Sequence, residues 1–229
     1  MKNNLDLLLE EGINEIIYNV FNDYDLDKLT DIEKRFLIFK YFTETLQYDH
    51  QVFQNKINGI SGINPVETLI NTIKYKTGVC NSFVMLYKFV LEKLGINAIA
   101  CICNYDNISN QHKTILVKDK LSNTYSFDDI TMVILKEETL ESAFGYDLET
   151  AKNLKTPQRE IFGNPSKLFD MFYKSNLTSD FTDEIIISKP IKYPHGEYVH
   201  SQVVALPKIE KIPENIKLDL IYNFNAKVK

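Results

Sequence analysis

The chain has no tryptophan, three cysteines and four histidines among its 229 residues. Three thiols with no CxxC pair do not make an even-numbered framework, which argues against a disulfide-stapled secreted domain, and free thiols in a reducing compartment are expected. A basic block is also missing. The 26 Lys and Arg and 31 Asp and Glu are mixed along the chain, with a formal charge of -5, and nothing is gathered to neutralise phosphates, so no nucleic acid partner is expected. Long hydrophobic runs are absent too. The opening MKNNLDLLLEEGINEII carries Asp6, Glu10 and Glu11 inside its apolar stretch, which suits neither a signal peptide nor a membrane span. The expectation is a soluble cytoplasmic protein with no membrane partner, in which the Asn-x-Ser/Thr matches at Asn107 and Asn176 carry no weight.

There is no internal repeat and no Gly/Ser/Pro-rich linker. A composition 44% hydrophobic and 25% charged builds a real core at this length. The chain divides into residues 1–155, a core with N-terminal helices, and residues 156–229, a C-terminal extension of mixed helix and strand packed on that core.

Leu5, Leu8, Leu9, Ile13, Ile16, Ile17, Val20 and Phe21 recur at helical spacing, so a first amphipathic helix is expected, interrupted or weakened at Gly12. Thr30-Asp31-Ile32-Glu33 is a capping-box pattern opening a second helix, about Asp31 to Leu46. A third starts at Asn64-Pro65, with Asn as cap and Pro at the first helical position. Val79 to Leu94 is apolar on nearly every side and stops at Gly95, the pattern of a helix in the middle of a domain. The period then changes. Ala98–Tyr105, His112–Lys118 and Thr124–Asp128 read as short strands, and helices followed by an antiparallel meander indicate an α+β fold with the helical part packed on an antiparallel sheet. Further on, short helices are expected near Glu138–Phe144 and Pro165–Lys174, and strands near Glu184–Ser188, Tyr198–Leu206 and Ile216–Asn223.

The scarcity of cysteine and histidine makes a nucleophile and its base easy to seek. Cys80 stands at the start of the apolar helix, where open backbone N–H groups and the positive end of the macrodipole favour a thiolate. Its neighbours on the same helical face, Phe83, Val84 and Tyr87, turn it towards the sheet. His112 opens a strand of that sheet. A histidine base needs a third group to fix its tautomer, and Asp128 and Asp129 end the next strand. Alternation places Asp129 with Tyr125 and Phe127 on one face and Asp128 with Ser126 on the other. Taking the aromatic face as the core face, Asp129 is the better orienter.

The order Cys80, His112, Asp129 resembles the transglutaminase-like superfamily of cysteine enzymes. The matching pieces are Thr77-Gly78-Val79-Cys80, Leu94-Gly95-Ile96, His112, Asp129-Ile130-Thr131 and the pair Tyr48-Asp49. The likeness runs from about Tyr48 to Thr131. It departs from the family pattern where Lys113-Thr114 follows the histidine without an aromatic residue, where Tyr125 stands for Trp and where Ile130 stands for Pro. What it implies is a papain-like core with a catalytic Cys80-His112-Asp129 triad, Tyr48 as an oxyanion-hole donor, a protein or peptide substrate, and no metal or organic cofactor.

The leading expectation is a cysteine peptidase or amidase working through an acyl-enzyme. The alternatives are a transglutaminase, a non-catalytic protein-binding module of the same fold, and an acyltransferase that loads Cys80 from a thioester. Each residue also has a plain reading: Cys80 as packing, His112 as a strand residue bonded to a carbonyl, Asp129 as a turn or cap. Cys101 and Cys103 with His112 make a poor zinc site, lacking a second close ligand pair. His195 and His200 lack the HExxH spacing and suit a groove rim, and Asp23-x-Asp25-x-Asp27 has Lys28 where a calcium loop needs Gly.

Overall fold

The computed structural model describes residues 4–57, 65–105, 111–147, 149–150, 159–160, 181–187, 191–192, 198–199 and 203–224. The helix α1 (Asn4–Phe21) buries Ile13, Ile16, Val20 and Phe21. Gly12 does not interrupt it, contrary to expectation. A Cβ there would come within 2.8 Å of Ile73 Cδ1, so the missing side chain serves the close approach of two helices.

The helix α2 (Asp31–Thr45) begins with the expected capping box. Glu33 N donates to Thr30 Oγ1 at 3.3 Å and Thr30 N donates to Glu33 Oε2 at 2.7 Å, which satisfies two of the N–H groups a helix start leaves open. Its buried stretch Arg35–Phe39 includes an arginine among apolar residues. The strand β1 (Gln47–Tyr48) follows, then α3 (His50–Ile57), which the periodicity did not single out, and α4 (Pro65–Tyr75), whose Ile73 meets Gly12. The strand β2 (Thr77–Gly78) pairs in parallel with β1 and leads straight into α5 (Cys80–Lys93).

α5 is central, as its all-round apolar pattern predicts: it packs against α1, α2, α4 and the sheet. Phe83, Val84, Leu86, Tyr87, Val90 and Leu91 are buried, and each side chain of this size contributes about 1.5–3 kcal/mol by leaving water. Gly95 ends the helix at φ 74, a left-handed C′ position that glycine adopts without strain.

The strands β3 (Ala98–Tyr105), β4 (Gln111–Asp119) and β5 (Thr124–Asp128) form the expected antiparallel meander. After α6 (Ile130–Ile134) and α7 (Leu140–Ala143), the strand β6 (Phe144–Tyr146) joins one edge and β7 (Arg159–Glu160) the other, in the order β6-β5-β4-β3-β7. Ile115 lies opposite Asp128 and Val117 opposite Ser126 and Ala98. The face holding Ala98, Ile115 and Val117 joins the helical core. The other, with Leu116, Phe127 and Tyr146, is also buried, and the Phe127 and Tyr146 rings stack at 5.3 Å.

Further along, β8 (Phe181–Ile187) pairs with β11 (Val203–Pro207), and β9 (Ile191–Lys192) with β10 (Tyr198–Val199), all antiparallel. The helix expected near Pro165–Lys174, the two asparagine motifs, and His195 and His200 lie outside the described residues. The strand expected at Ile216–Asn223 is instead the helix α8 (Glu214–Tyr222), because Lys217 and Leu220 turn inward at helical spacing. Before it, Tyr125 N donates to Lys208 O, Glu210 N to Tyr125 O, and Ile212 N to Gly145 O, at 2.7 to 2.8 Å. No described helix is long and apolar enough to cross a membrane.

Candidate active site

Cys80 is the first residue of α5, and its delivery is tightly built. Tyr48 pairs with Gly78 in the β1–β2 ladder, and Asp49 N donates to Gly78 O at 2.7 Å. A Cβ on Gly78 would lie 2.4 Å from Ser82 Oγ and 3.0 Å from Thr72, so only glycine admits this approach. Ser82 Oγ accepts from Val79 N at 3.1 Å and donates to Val79 O at 2.9 Å, folding the entry against the first turn. The cap residue, Val79, has no side-chain acceptor to offer the helix. The first-turn N–H groups and helix dipole therefore act on whatever lies at Cys80.

His112 is the second residue of β4, and its register partner on β3 is Cys103. Asp129 follows β5 directly as the N-cap of α6. Its Oδ1 accepts from Met132 N at 3.2 Å, while Oδ2 lies 2.8 Å from His112 Nε2. One carboxylate thus serves as helix cap and as histidine partner. Cys80 reaches the same imidazole through a side-chain hydrogen bond. With Nε2 engaged by Asp129, Nδ1 is the ring nitrogen left for the sulfur.

The three side chains are nearly or fully buried. Burial alone would lower the His112 pKa, but the charge and hydrogen bond of Asp129, with the hydrogen bond and charge of Cys80, raise it to about 9. His112 is therefore an imidazolium at neutral pH, and a cation beside a sulfur favours the thiolate. A second tie joins the two elements at this point: Lys113 Nζ donates to Asn81 Oδ1. Each of these residues follows a member of the pair.

Of the residues singled out in the sequence, Cys80, His112 and Asp129 meet. Tyr48 lies across the β1–β2 ladder from Gly78, half-buried, with its ring 6.4 Å from Phe83 and 5.0 Å from His50. Strand parity does not by itself choose Asp129 over Asp128. All five residues of β5 are buried, so neither face is the solvent face, and Asp129 is set by its cap position beyond the strand. Cys103 opposes His112 across the ladder, and no group of three His, Cys, Asp or Glu among the described residues is arranged for a metal. Asp25 caps the short 3-10 turn Leu26–Lys28, accepting from Asp27 N.

What sequence reasoning missed is the neighbour of Asp129. Asp128 is fully buried and accepts from Arg35 Nε at 2.6 Å, Arg35 Nη2 at 2.7 Å, Tyr87 Oη at 2.9 Å and Gly145 N at 2.8 Å. Burial, with the Asp128 charge, holds the Tyr87 hydroxyl well above its usual pKa, against the opposing pull of Arg35, so it stays a donor. The available signal was Arg35 itself, a charge set directly against the apolar run Phe36-Leu37-Ile38-Phe39.

Residues 19–156 match the sequence profile of the transglutaminase-like domain. No curated protein matches the chain. One similar solved structure is a crystal structure of a TGase, 16% identical, with 56% of this chain and 31% of that chain covered and a TM-score of 0.40; this chain spans 31% of that protein's length. On the profile match, which takes in more than half of its residues and the whole of this site, the chain belongs to the transglutaminase-like domain family.

Proposed function

We propose that the protein is a thiol-dependent hydrolase, a peptidase or amidase with a papain-like core, acting on a protein or peptide through an acyl-enzyme on Cys80. The observation that carries this reading is the single imidazole hydrogen-bonded to both Asp129 and Cys80 at the open end of a buried helix. The Cys80 thiolate adds to the carbonyl carbon of an amide, and the developing oxyanion is stabilised by the first-turn N–H of α5, with Tyr48 as the candidate side-chain donor. Collapse breaks the C–N bond. His112 gives its proton to the leaving amine, leaving a thioester and a neutral imidazole that Asp129 keeps in one tautomer. Water then loses a proton to His112 and attacks the thioester, releasing the acid and restoring the ion pair.

An amine in place of water would make the same residues a transglutaminase. The experiment incubates the protein with a glutamine-containing peptide, with and without a primary amine, and follows products by mass spectrometry. Acid formed with amine present supports hydrolysis. An amide adduct as the main product replaces hydrolysis with transfer, and no turnover together with an unreactive Cys80 leaves a binding module.

A further inference from the structure

We propose that Asp128, clamped by Arg35 and Tyr87, is a positioning residue that holds the elements bearing Cys80, His112 and Asp129 in one register. This rests on the functional reading above and adds a residue that does not touch the reacting atoms.

The case is one of connectivity. Tyr87 belongs to α5, the helix that Cys80 begins, and its hydroxyl donates to Asp128 Oδ2. Thr114 belongs to β4, two residues after His112, and its Oγ1 donates to the Asp128 carbonyl oxygen at 2.6 Å. Asp129 is the next residue in the chain, and its own N–H donates to Ala143 O at 2.9 Å. A single buried residue therefore ties the nucleophile's helix, the base's strand and the orienter. Its four side-chain bonds use both carboxylate oxygens twice, the full accepting capacity of the group.

The partner is as constrained as the acid. Arg35, 2% exposed, also reaches Ser126 O at 3.4 Å, and its guanidinium lies 4.9 Å from the centre of the Phe144 ring. Two parallel N–H···O bonds fix the carboxylate plane as well as its distance. A buried ion pair is weak evidence of stability, since an apolar replacement of similar shape often serves as well. Its place beside the site is better explained by direction. Misplacing Asp129 by a fraction of an ångström would lengthen its 2.8 Å bond to His112 and loosen the imidazolium that faces the sulfur. Among the described residues, Lys217 on α8 also feels the Asp128 charge, together with Glu214 and Glu141, and Lys113, next to His112, is bonded to Asn81.

Two mild variants test the idea in the full chain: Tyr87→Phe, which removes one hydroxyl, and Thr114→Val, which removes the other with little change of shape. The readout is the rate of Cys80 alkylation by iodoacetamide against pH. The expected result is an acid limb moved up by about one unit, about tenfold slower labelling near pH 6, restored by Thr114→Ser. The Tyr87→Phe effect should vanish in a His112→Ala background, because residues acting through one partner are not additive. Variants that melt earlier but keep the wild-type pH profile would overturn the inference, assigning the network to stability alone. If Tyr87→Phe does not fold, Thr114→Val with its serine control decides; if Thr114→Val does not fold, Tyr87→Phe compared in the His112→Ala background decides. Slow labelling of the wild type would instead defeat the functional reading; fast wild-type labelling with unmoved variants defeats only this inference.

Discussion

At the residue scale, His112 sets the pH behaviour of the site. Burial opposes its charge, Asp129 and Cys80 outweigh burial, and the pKa rises to about 9. The folded imidazole keeps its proton where the unfolded one, near 6.5, has lost it. Its contribution to stability is thus complete below about pH 6.5 and is lost as pH rises towards 9. Denaturant midpoints should fall across that window, and the fall should be smaller in His112→Ala. Turnover should decline over the same upper limb if the leaving amine takes its proton from His112, as proposed; a rate still rising above pH 10 would remove that role. Asp129→Asn keeps the cap acceptor and loses the charge, so it should lower the upper limb and the rate by about a hundredfold or more. Arg35→Ala leaves Asp128 buried without its counter-charge, and a loss of about 3–5 kcal/mol in chemical denaturation is expected.

At the element scale, the arrangement depends on how α5 is entered. Gly78 lets β2 pass over Ser82 and Thr72, and Gly78→Ala should reduce Cys80 reactivity more than it reduces stability, by displacing the first turn. Thr30→Ala removes the hydroxyl side of the α2 capping box, one turn before Arg35, and should cost about 1 kcal/mol in chemical denaturation. Gly145 is left-handed at φ 62, and a Cβ there would lie 2.3 Å from Ile212 Cδ1. Several elements were legible for physical reasons that survive in a string: the Thr30–Glu33 box, the Gly95 stop and the apolar residues spread round most of α5. Others were not. Gly12 looks like a break from propensity alone, but tertiary packing against Ile73 overrides it. Ile216–Asn223 has enough hydrophobic residues for a strand, and only the inward pair Lys217 and Leu220 shows the helix.

At the scale of the whole molecule, the helices and the sheet enclose the site jointly. α5 lies between α1, α2, α4 and the strands β3 and β4, so Cys80 is mounted on a helix held from several sides. The spacing of Cys80, His112 and Asp129 was readable because short connections carry each to its neighbour. The ion pair of Arg35 with Asp128 was not, since 93 residues separate partners that only the fold brings together. Residues 208–212 bond to Tyr125 and Gly145, and Lys217 Nζ donates to Glu141 O at 2.8 Å. This return of the chain makes the late segment part of the core's support, and Lys217→Met should lower the melting temperature while leaving the labelling profile in place.

The central claim is that Cys80 is a thiolate held by His112. It is tested most directly by the second-order rate of iodoacetamide alkylation at Cys80 near pH 6, in the wild type and in His112→Ala. The account predicts fast labelling of the wild type, well above that of an ordinary thiol whose pKa is about 8.5, and its suppression in the variant. Equal, slow labelling of both proteins would contradict it.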